Sequence, residues 1–95
     1  MNIIYLKKER CRPCYGASAA LTYILNNNHS LTQYIHIYDK ETVPELVEKY
    51  KTKLYPTAIL VDEHGDEIER VTGGKALKAA WIDLFDKCLE GATTN

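Results

Sequence analysis

Cys11-Arg12-Pro13-Cys14 is the stretch that decides the fold, because it places two thiols two residues apart. A short apolar run, Ile3 to Leu6, precedes the pair, and an amphipathic stretch from Ala17 to Leu25 follows it. The pair therefore lies where a strand passes into a helix. Unpaired backbone N–H groups and the positive end of the helix dipole favour a thiolate there. A C-x-x-C pair in this setting is typical of a redox site.

The composition is that of one small globular domain, which we assign to residues 1–95. The chain has 45% hydrophobic residues and a formal net charge of −1, so charge gives no reason to expect nucleic acid or a membrane as partner. The longest apolar run, Ala58 to Val61, is too short to span a bilayer, and the N-terminus lacks signal-peptide features. We therefore expect a cytoplasmic monomer, in a compartment where a purely structural disulfide would be reduced.

Hydrophobic periodicity predicts an α/β domain with the order β-α-β-α-β-β-α, a mixed four-stranded sheet flanked by three helices. The predicted strands are 2–6, 34–38, 57–62 and 67–71, and the predicted helices are about 13–26, 43–51 and 75–89. Thr57 to Asp62 is apolar enough to be buried on both faces, whereas 67–71 is more polar and suits a sheet edge. Thr42-Val43-Pro44-Glu45 resembles a capping box, and Gly91 to Asn95 is expected to be a frayed tail.

The predicted order, with C-x-x-C at the first strand–helix junction, resembles the thioredoxin superfamily over essentially the whole chain. Tyr55-Pro56-Thr57 corresponds to the family's cis-proline motif, which precedes a strand and faces the cysteine pair. The chain lacks the extra N-terminal strand and helix of typical thioredoxins and in this respect is similar to glutaredoxins. Gly73-Gly74 also resembles the double glycine with which glutaredoxins hold glutathione.

This resemblance implies a dithiol–disulfide oxidoreductase that serves electron transport and cell redox homeostasis. Cys11 would be the more exposed cysteine and the nucleophile, and Cys14 would resolve the mixed disulfide. Arg10 and Arg12 should lower the pKa of Cys11 by opposite charge and make the pair more oxidising than ordinary thioredoxin. The expected substrate-binding residues are Arg10, Arg12, Pro13, Tyr55, Pro56, Thr57, Gly73 and Gly74.

The implied partners are disulfide-containing proteins, for example a ribonucleotide reductase, with a thioredoxin reductase or glutathione as the reductant. We expect no cofactor beyond the redox-active disulfide, with glutathione as a co-substrate in the second case. The alternatives are a glutaredoxin-like, glutathione-dependent enzyme and a non-enzymatic module that binds a larger protein. A metal half-site is disfavoured because tetrahedral zinc needs four ligands, and no second C-x-x-C or paired histidine is present.

Two positions depart from the thioredoxin pattern, and both bear on how the site would work. Arg10 replaces the tryptophan that precedes the first cysteine, and Tyr5 replaces a buried aspartate thought to relay protons. Two further features remain open at this stage. Cys88 lies on an apolar helix stripe and is interpreted as a core residue. The basic cluster Lys7, Lys8, Arg10 and Arg12 is either a solvated loop or a surface that steers an acidic partner or a glutathione carboxylate.

Overall fold

The computed structural model describes residues 1–93 and confirms the predicted order of elements. Two short 3-10 turns, His29–Tyr34 and Lys40–Thr42, flank the second strand and were not predicted. No helix in this part of the chain has both the length and the apolar character needed to cross a membrane. The strands and helices are β1 (Asn2–Lys7), α1 (Arg12–Asn27), β2 (Ile35–Asp39), α2 (Pro44–Lys49), β3 (Thr57–Val61), β4 (Glu67–Thr72) and α3 (Gly74–Thr93).

The four strands form one mixed sheet in the order β2-β1-β3-β4. β1 is parallel to β2, with Ile3 opposite Ile35, and antiparallel to β3, which in turn pairs antiparallel with β4. Every residue of β3 is buried and β4 lies at the edge, as the polarity of the two segments predicted. β1 is a central strand of the sheet. The cysteine pair follows its carboxyl end and therefore lies near the middle of that end of the sheet.

Each face of the sheet has its own apolar layer, because side chains alternate between the faces. Ile3 and Tyr5 of β1 pack under α1 and α3, whereas Ile4 and Leu6 pack under α2. Trp81 of α3 fixes the larger layer. Its ring meets the Tyr5 ring edge to face at 4.9 Å, and its Nε1 donates a hydrogen bond to the Ala17 carbonyl of α1 at 2.9 Å. The two helices that border the cysteine pair are thereby joined to each other and to β1.

The predicted element ends were wrong at two places. α2 begins at Pro44 with Val43 at the N-cap and no side-chain capping bond. Thr42 belongs to the preceding 3-10 turn, where its hydroxyl donates to the Asp39 carbonyl. The predicted frayed tail is helical as far as Thr93, and positions 94–95 lie outside the described residues. α3 is supported there by contact with the other end of the chain. A Cβ on Gly91 would lie 3.3 Å from the Met1 side chain.

Candidate active site

Cys11 and Cys14 form a disulfide at the N-terminus of α1, with their Cα atoms 5.2 Å apart. Cys11 is the N-cap residue with extended backbone, and Pro13 occupies the first turn. The Cys11 Sγ accepts a hydrogen bond from the backbone N–H of Cys14 at 3.2 Å. This N–H group also donates to the Cys11 carbonyl at 3.1 Å, so the sulfur shares a donor of the first helical turn. A donor at the helix N-terminus favours a thiolate after reduction, as predicted from the sequence.

Both sulfurs are buried in the disulfide form. Cys11 is 4% exposed and Cys14 is 2% exposed, so Cys11 is slightly the more exposed of the two, in line with the expectation, although both residues are buried. The reason is that the Cys11 sulfur turns toward the helix N-terminus, where it faces the Cys14 N–H. The flanking Arg10 and Arg12 are exposed, and Arg10 has a positive φ of 53°. The two arginines that flank Cys11 in the sequence thus lie on the surface.

The Tyr55–Pro56 peptide bond is cis, as the resemblance implied. Pro56 is buried, and its carbonyl accepts a hydrogen bond from the Gly73 N–H at 2.8 Å. Thr57 is also buried, and its hydroxyl pairs with the Thr72 hydroxyl at 2.9 Å and donates to the Leu54 carbonyl at 2.7 Å. These bonds fasten the proline loop to the end of β4, so Thr57 fixes the loop instead of facing outward.

The two glycines before α3 have structural roles that the sequence analysis missed. Gly73 has a φ of +103°, and its carbonyl accepts the Leu77 N–H at the start of α3. Gly74 lies against the first turn of α1, since a Cβ there would be 2.5 Å from the Pro13 carbonyl oxygen. The pair therefore joins the cysteine loop, the proline loop and α3. Contact of these glycines with a substrate remains a prediction.

Tyr55 is half-buried beside the cis-proline, with its ring held by two contacts. Its hydroxyl donates to the Thr52 carbonyl at 3.2 Å, and Lys40 Nζ lies 5.4 Å from the ring centre in a cation–π contact. Burial, and secondarily the Glu41 charge, raise the pKa of Tyr55, so the phenol stays protonated. The side chain thus offers a fixed, uncharged surface next to Pro56.

Tyr5 lies fully buried beneath the cysteine pair. Its hydroxyl pairs with the Ser18 hydroxyl at 2.9 Å and donates to the Cys14 carbonyl at 3.4 Å. Burial raises the pKa of Tyr5 and keeps it neutral. No carboxylate is fully buried in the described part of the chain. The sequence analysis missed Ser18, although its place one helical turn after Cys14 put it on the same face of α1.

We expect Tyr5→Phe to lower the free energy of unfolding by about 1–2 kcal/mol. The substitution keeps the ring that packs on Trp81 but leaves the Ser18 hydroxyl without its partner. Urea denaturation measures the change. Tyr15→Phe is the matched control, because Tyr15 is 63% exposed and should change stability by less than about 0.5 kcal/mol. Equal stability of the two variants would show that the buried hydroxyl pair contributes nothing to the fold.

The four residues of the predicted basic cluster differ in their contacts. Lys7 forms a salt bridge with Asp39 at 2.5 Å, whereas Lys8, Arg10 and Arg12 are exposed and form no salt bridge with other described residues. Cys88 is confirmed as a core residue of α3, and burial raises the pKa of its thiol. Within residues 1–93, no three His, Cys, Asp or Glu side chains are grouped so that they would hold a metal ion.

No protein-family model and no curated protein sequence matches the chain. Solved structures do match. Thioredoxin 1 from the thermophilic eubacterium Thermosipho africanus is 22% identical, covers 99% of this chain and 100% of its own, and superposes with a TM-score of 0.71. Thioredoxin from Trypanosoma brucei brucei is 15% identical over 94% of this chain and 74% of its own, with a TM-score of 0.71. Plasmodium falciparum thioredoxin is 23% identical over 90% and 83%, with a TM-score of 0.69. The chain is thus a thioredoxin-fold protein that carries a C-x-x-C disulfide at the start of its first helix.

Proposed function

We propose that this protein is a dithiol–disulfide oxidoreductase. The observation that carries the proposal is the Cys11–Cys14 disulfide at the N-terminus of α1, where the Cys14 N–H points at the Cys11 sulfur. Thiol–disulfide exchange needs a stabilised thiolate and a second thiol within bonding reach, and this geometry supplies both. The likeness to thioredoxins of the same fold supports the same class of chemistry.

The reaction begins from the reduced pair. The Cys11 thiolate attacks one sulfur of a substrate disulfide, forms a mixed disulfide and releases the other substrate sulfur as a thiolate. Cys14 then loses its proton, and its thiolate attacks the Cys11 sulfur. The second substrate sulfur leaves, and the Cys11–Cys14 disulfide is restored. Two electrons have passed to the substrate, whose two thiolates take up protons from the released Cys14 proton and from water.

The surrounding residues have distinct proposed roles. Arg10 and Arg12 stabilise the Cys11 thiolate by opposite charge and should make the pair more oxidising than ordinary thioredoxin. Pro13 starts the helix that presents the sulfur, and the Tyr55–Pro56 backbone offers a strand-like contact to a substrate. The buried Thr57 and Gly74 hold these loops in place. Gly73 performs the same task through its N–H, which donates to the Pro56 carbonyl.

We propose a protein reductase as the electron source, in preference to glutathione. The engagement of the Gly73 N–H by Pro56 supports this choice, because that donor is then not free to bind a glutathione backbone. In this proposal the protein works as a cytoplasmic monomer and reduces protein disulfides, with that of a ribonucleotide reductase as a specific target. Glutathione is the co-substrate of the alternative, glutaredoxin-like function.

A parallel assay of insulin-disulfide reduction tests the proposal. We expect turnover with NADPH and thioredoxin reductase, and turnover at least about tenfold slower with glutathione and glutathione reductase. Dithiothreitol serves as a third, chemical donor that needs no protein recognition. Insulin reduction with dithiothreitol that is no faster than without the protein would contradict oxidoreductase activity. Faster turnover with glutathione would favour the glutaredoxin-like alternative.

The burial of both sulfurs favours a second candidate, a binding module whose disulfide only closes the helix terminus. This function predicts that a variant with both Cys11→Ser and Cys14→Ser still captures the protein's cellular partner when it is folded. The oxidoreductase proposal predicts that the same variant reduces no disulfide. Partner capture by this variant, compared with insulin reduction by the unaltered protein, separates the two functions.

A further inference from the structure

The net charge of −1 conceals an uneven distribution of charge along the molecule. A group of cations surrounds the end of the sheet that carries the disulfide, and we call this group the basic rim. Two of its members flank Cys11 directly, and the others come from the loop before it, the turn after β2 and the first turns of α3. The basic rim consists of Lys8, Arg10, Arg12, Lys40, Lys75 and Lys78.

Several contacts place the rim beside the cysteine pair. Lys40 lies over the ring of Tyr55, which precedes the cis-proline. Lys75 follows Gly74, whose backbone touches that of Pro13. The Lys78 side chain lies along α1, with its Cδ 3.6 Å from the position of a Cβ on Gly16. The rim therefore approaches the disulfide from more than one side.

The charges of the rim are not neutralised by salt bridges. None of its six members forms a salt bridge with another residue in the described range 1–93. Carboxylates do occur at this end, namely Glu9, Glu41 and Glu45, and Asp39 is paired with Lys7. The cations outnumber these carboxylates, so the surface around the disulfide is electropositive.

The opposite end of the molecule carries several carboxylates together with cations such as Lys49. The turn between β3 and β4 contains Asp62, Glu63 and Asp66, and α3 contains Asp86 and Asp83, of which Asp83 is paired with Lys87. Met1 at the start of β1 contacts Gly91, which shows that α3 runs away from the disulfide toward this end. A molecule whose charge is unevenly distributed is oriented by the field of a charged partner.

We propose that the basic rim selects substrate proteins whose disulfides are flanked by Asp and Glu side chains. The inference rests on the proposed oxidoreductase function and names its substrate class. Complementary charge raises the rate of encounter and disfavours partners of like charge. The preference should act on association, should be largest at low salt and should vanish when the Debye length becomes shorter than the distance between the charges.

Single-turnover reduction of matched peptides tests the rim. The protein is reduced with dithiothreitol, freed of it, and mixed with cystine peptides that differ only in Asp or Lys at the flanking positions. Each rate is divided by the rate at which dithiothreitol, an uncharged dithiol, reduces the same peptide. We expect the acidic peptide to react about tenfold faster than the basic one at low salt. The ratio should approach one at about 1 M salt, where the Debye length is ~3 Å.

Two double variants test whether the acidic preference comes from the basic rim. Lys75→Glu with Lys78→Glu reverses two exposed rim charges, and Glu near the first turn of α3 suits the helix dipole, so folding is not at risk. Lys49→Glu with Lys51→Glu is the control, because it makes the same change in net charge away from the rim. Lys49 lies near the turn between β3 and β4, since its Nζ would be 3.1 Å from a Cβ on Gly65. We expect the rim variant to lose most of the acidic preference and the control to retain it.

The outcomes distinguish failure of the proposed charge preference from failure of the proposed oxidoreductase function. Equal normalised rates for the two peptides, or a faster rate for the basic peptide, would contradict selection by the basic rim and leave the oxidoreductase proposal intact. An equal loss of the acidic preference in both double variants would assign the preference to net charge. This result would also contradict selection by the basic rim. Failure to reduce either peptide would overturn the oxidoreductase proposal, and the rim with it.

Discussion

Cys14→Ser is expected to lower multiple-turnover insulin reduction by about a thousandfold or more and to leave the substrate covalently attached to Cys11. The first exchange needs only Cys11, so the mixed disulfide still forms. The second exchange needs a thiolate at position 14, and a serine hydroxyl does not ionise at neutral pH to replace it. Intact-protein mass spectrometry under non-reducing conditions detects the adduct, and insulin reduction measures turnover.

Two variants control this experiment. Cys11→Ser should show neither turnover nor adduct, because Cys11 is the N-cap residue whose sulfur accepts a helix N–H, whereas Cys14 lies within the helix. Cys88→Ala should retain turnover, because the Cys88 thiol is buried in the core and burial raises its pKa. An adduct in Cys11→Ser would show that another thiol attacks first. Sustained glutathione-dependent turnover in Cys14→Ser would favour the glutaredoxin-like, monothiol alternative.

The fold was predictable where one local pattern determines the structure. The continuous apolar run of β3 predicted a strand buried on both faces, and the C-x-x-C pair predicted a helix start near Pro13, one residue from the observed start at Arg12. Local pattern was insufficient where distant residues decide. Gly91 remains helical where it contacts Met1, a contact between the two ends of the chain. The capping box at Thr42 failed because Thr42 belongs to the 3-10 turn Lys40–Thr42, which periodicity does not show, and Val43 takes the N-cap position instead.

The candidate site also has features that local motifs predicted and features that depend on distant residues. The cysteine pair at a helix start was predicted from its motif and position, and the cis-proline from the resemblance of Tyr55-Pro56-Thr57 to a family motif. The burial of Cys11 was not predicted, since it depends on how the sulfur turns toward the Cys14 N–H. The pairing of Tyr5 with Ser18 was also missed, because it joins a strand and a helix that only the folded sheet brings together.

Gly74→Ala is the stability prediction with the largest expected effect. In an ordinary helix, alanine is more favourable than glycine by about 1 kcal/mol. At Gly74 the new Cβ would lie 2.5 Å from the Pro13 carbonyl oxygen and 3.0 Å from two further backbone atoms of Pro13, so no side-chain rotation relieves the clash. We therefore expect the free energy of unfolding to fall by about 3 kcal/mol, a large part of the stability of so small a domain.

The same clash should impair the active site, because Pro13 lies between the two cysteines and its displacement alters the helix start that presents Cys11. Gly16→Ala is the matched control. It makes the same substitution within a helix, but the nearest atom is the flexible Lys78 Cδ at 3.6 Å, so we expect a gain of about 0.5–1 kcal/mol. Urea denaturation and insulin reduction on both variants measure stability and activity. If Gly74→Ala proved as stable and active as Gly16→Ala, the close approach of α3 to the cysteine loop would not be what holds the site in place.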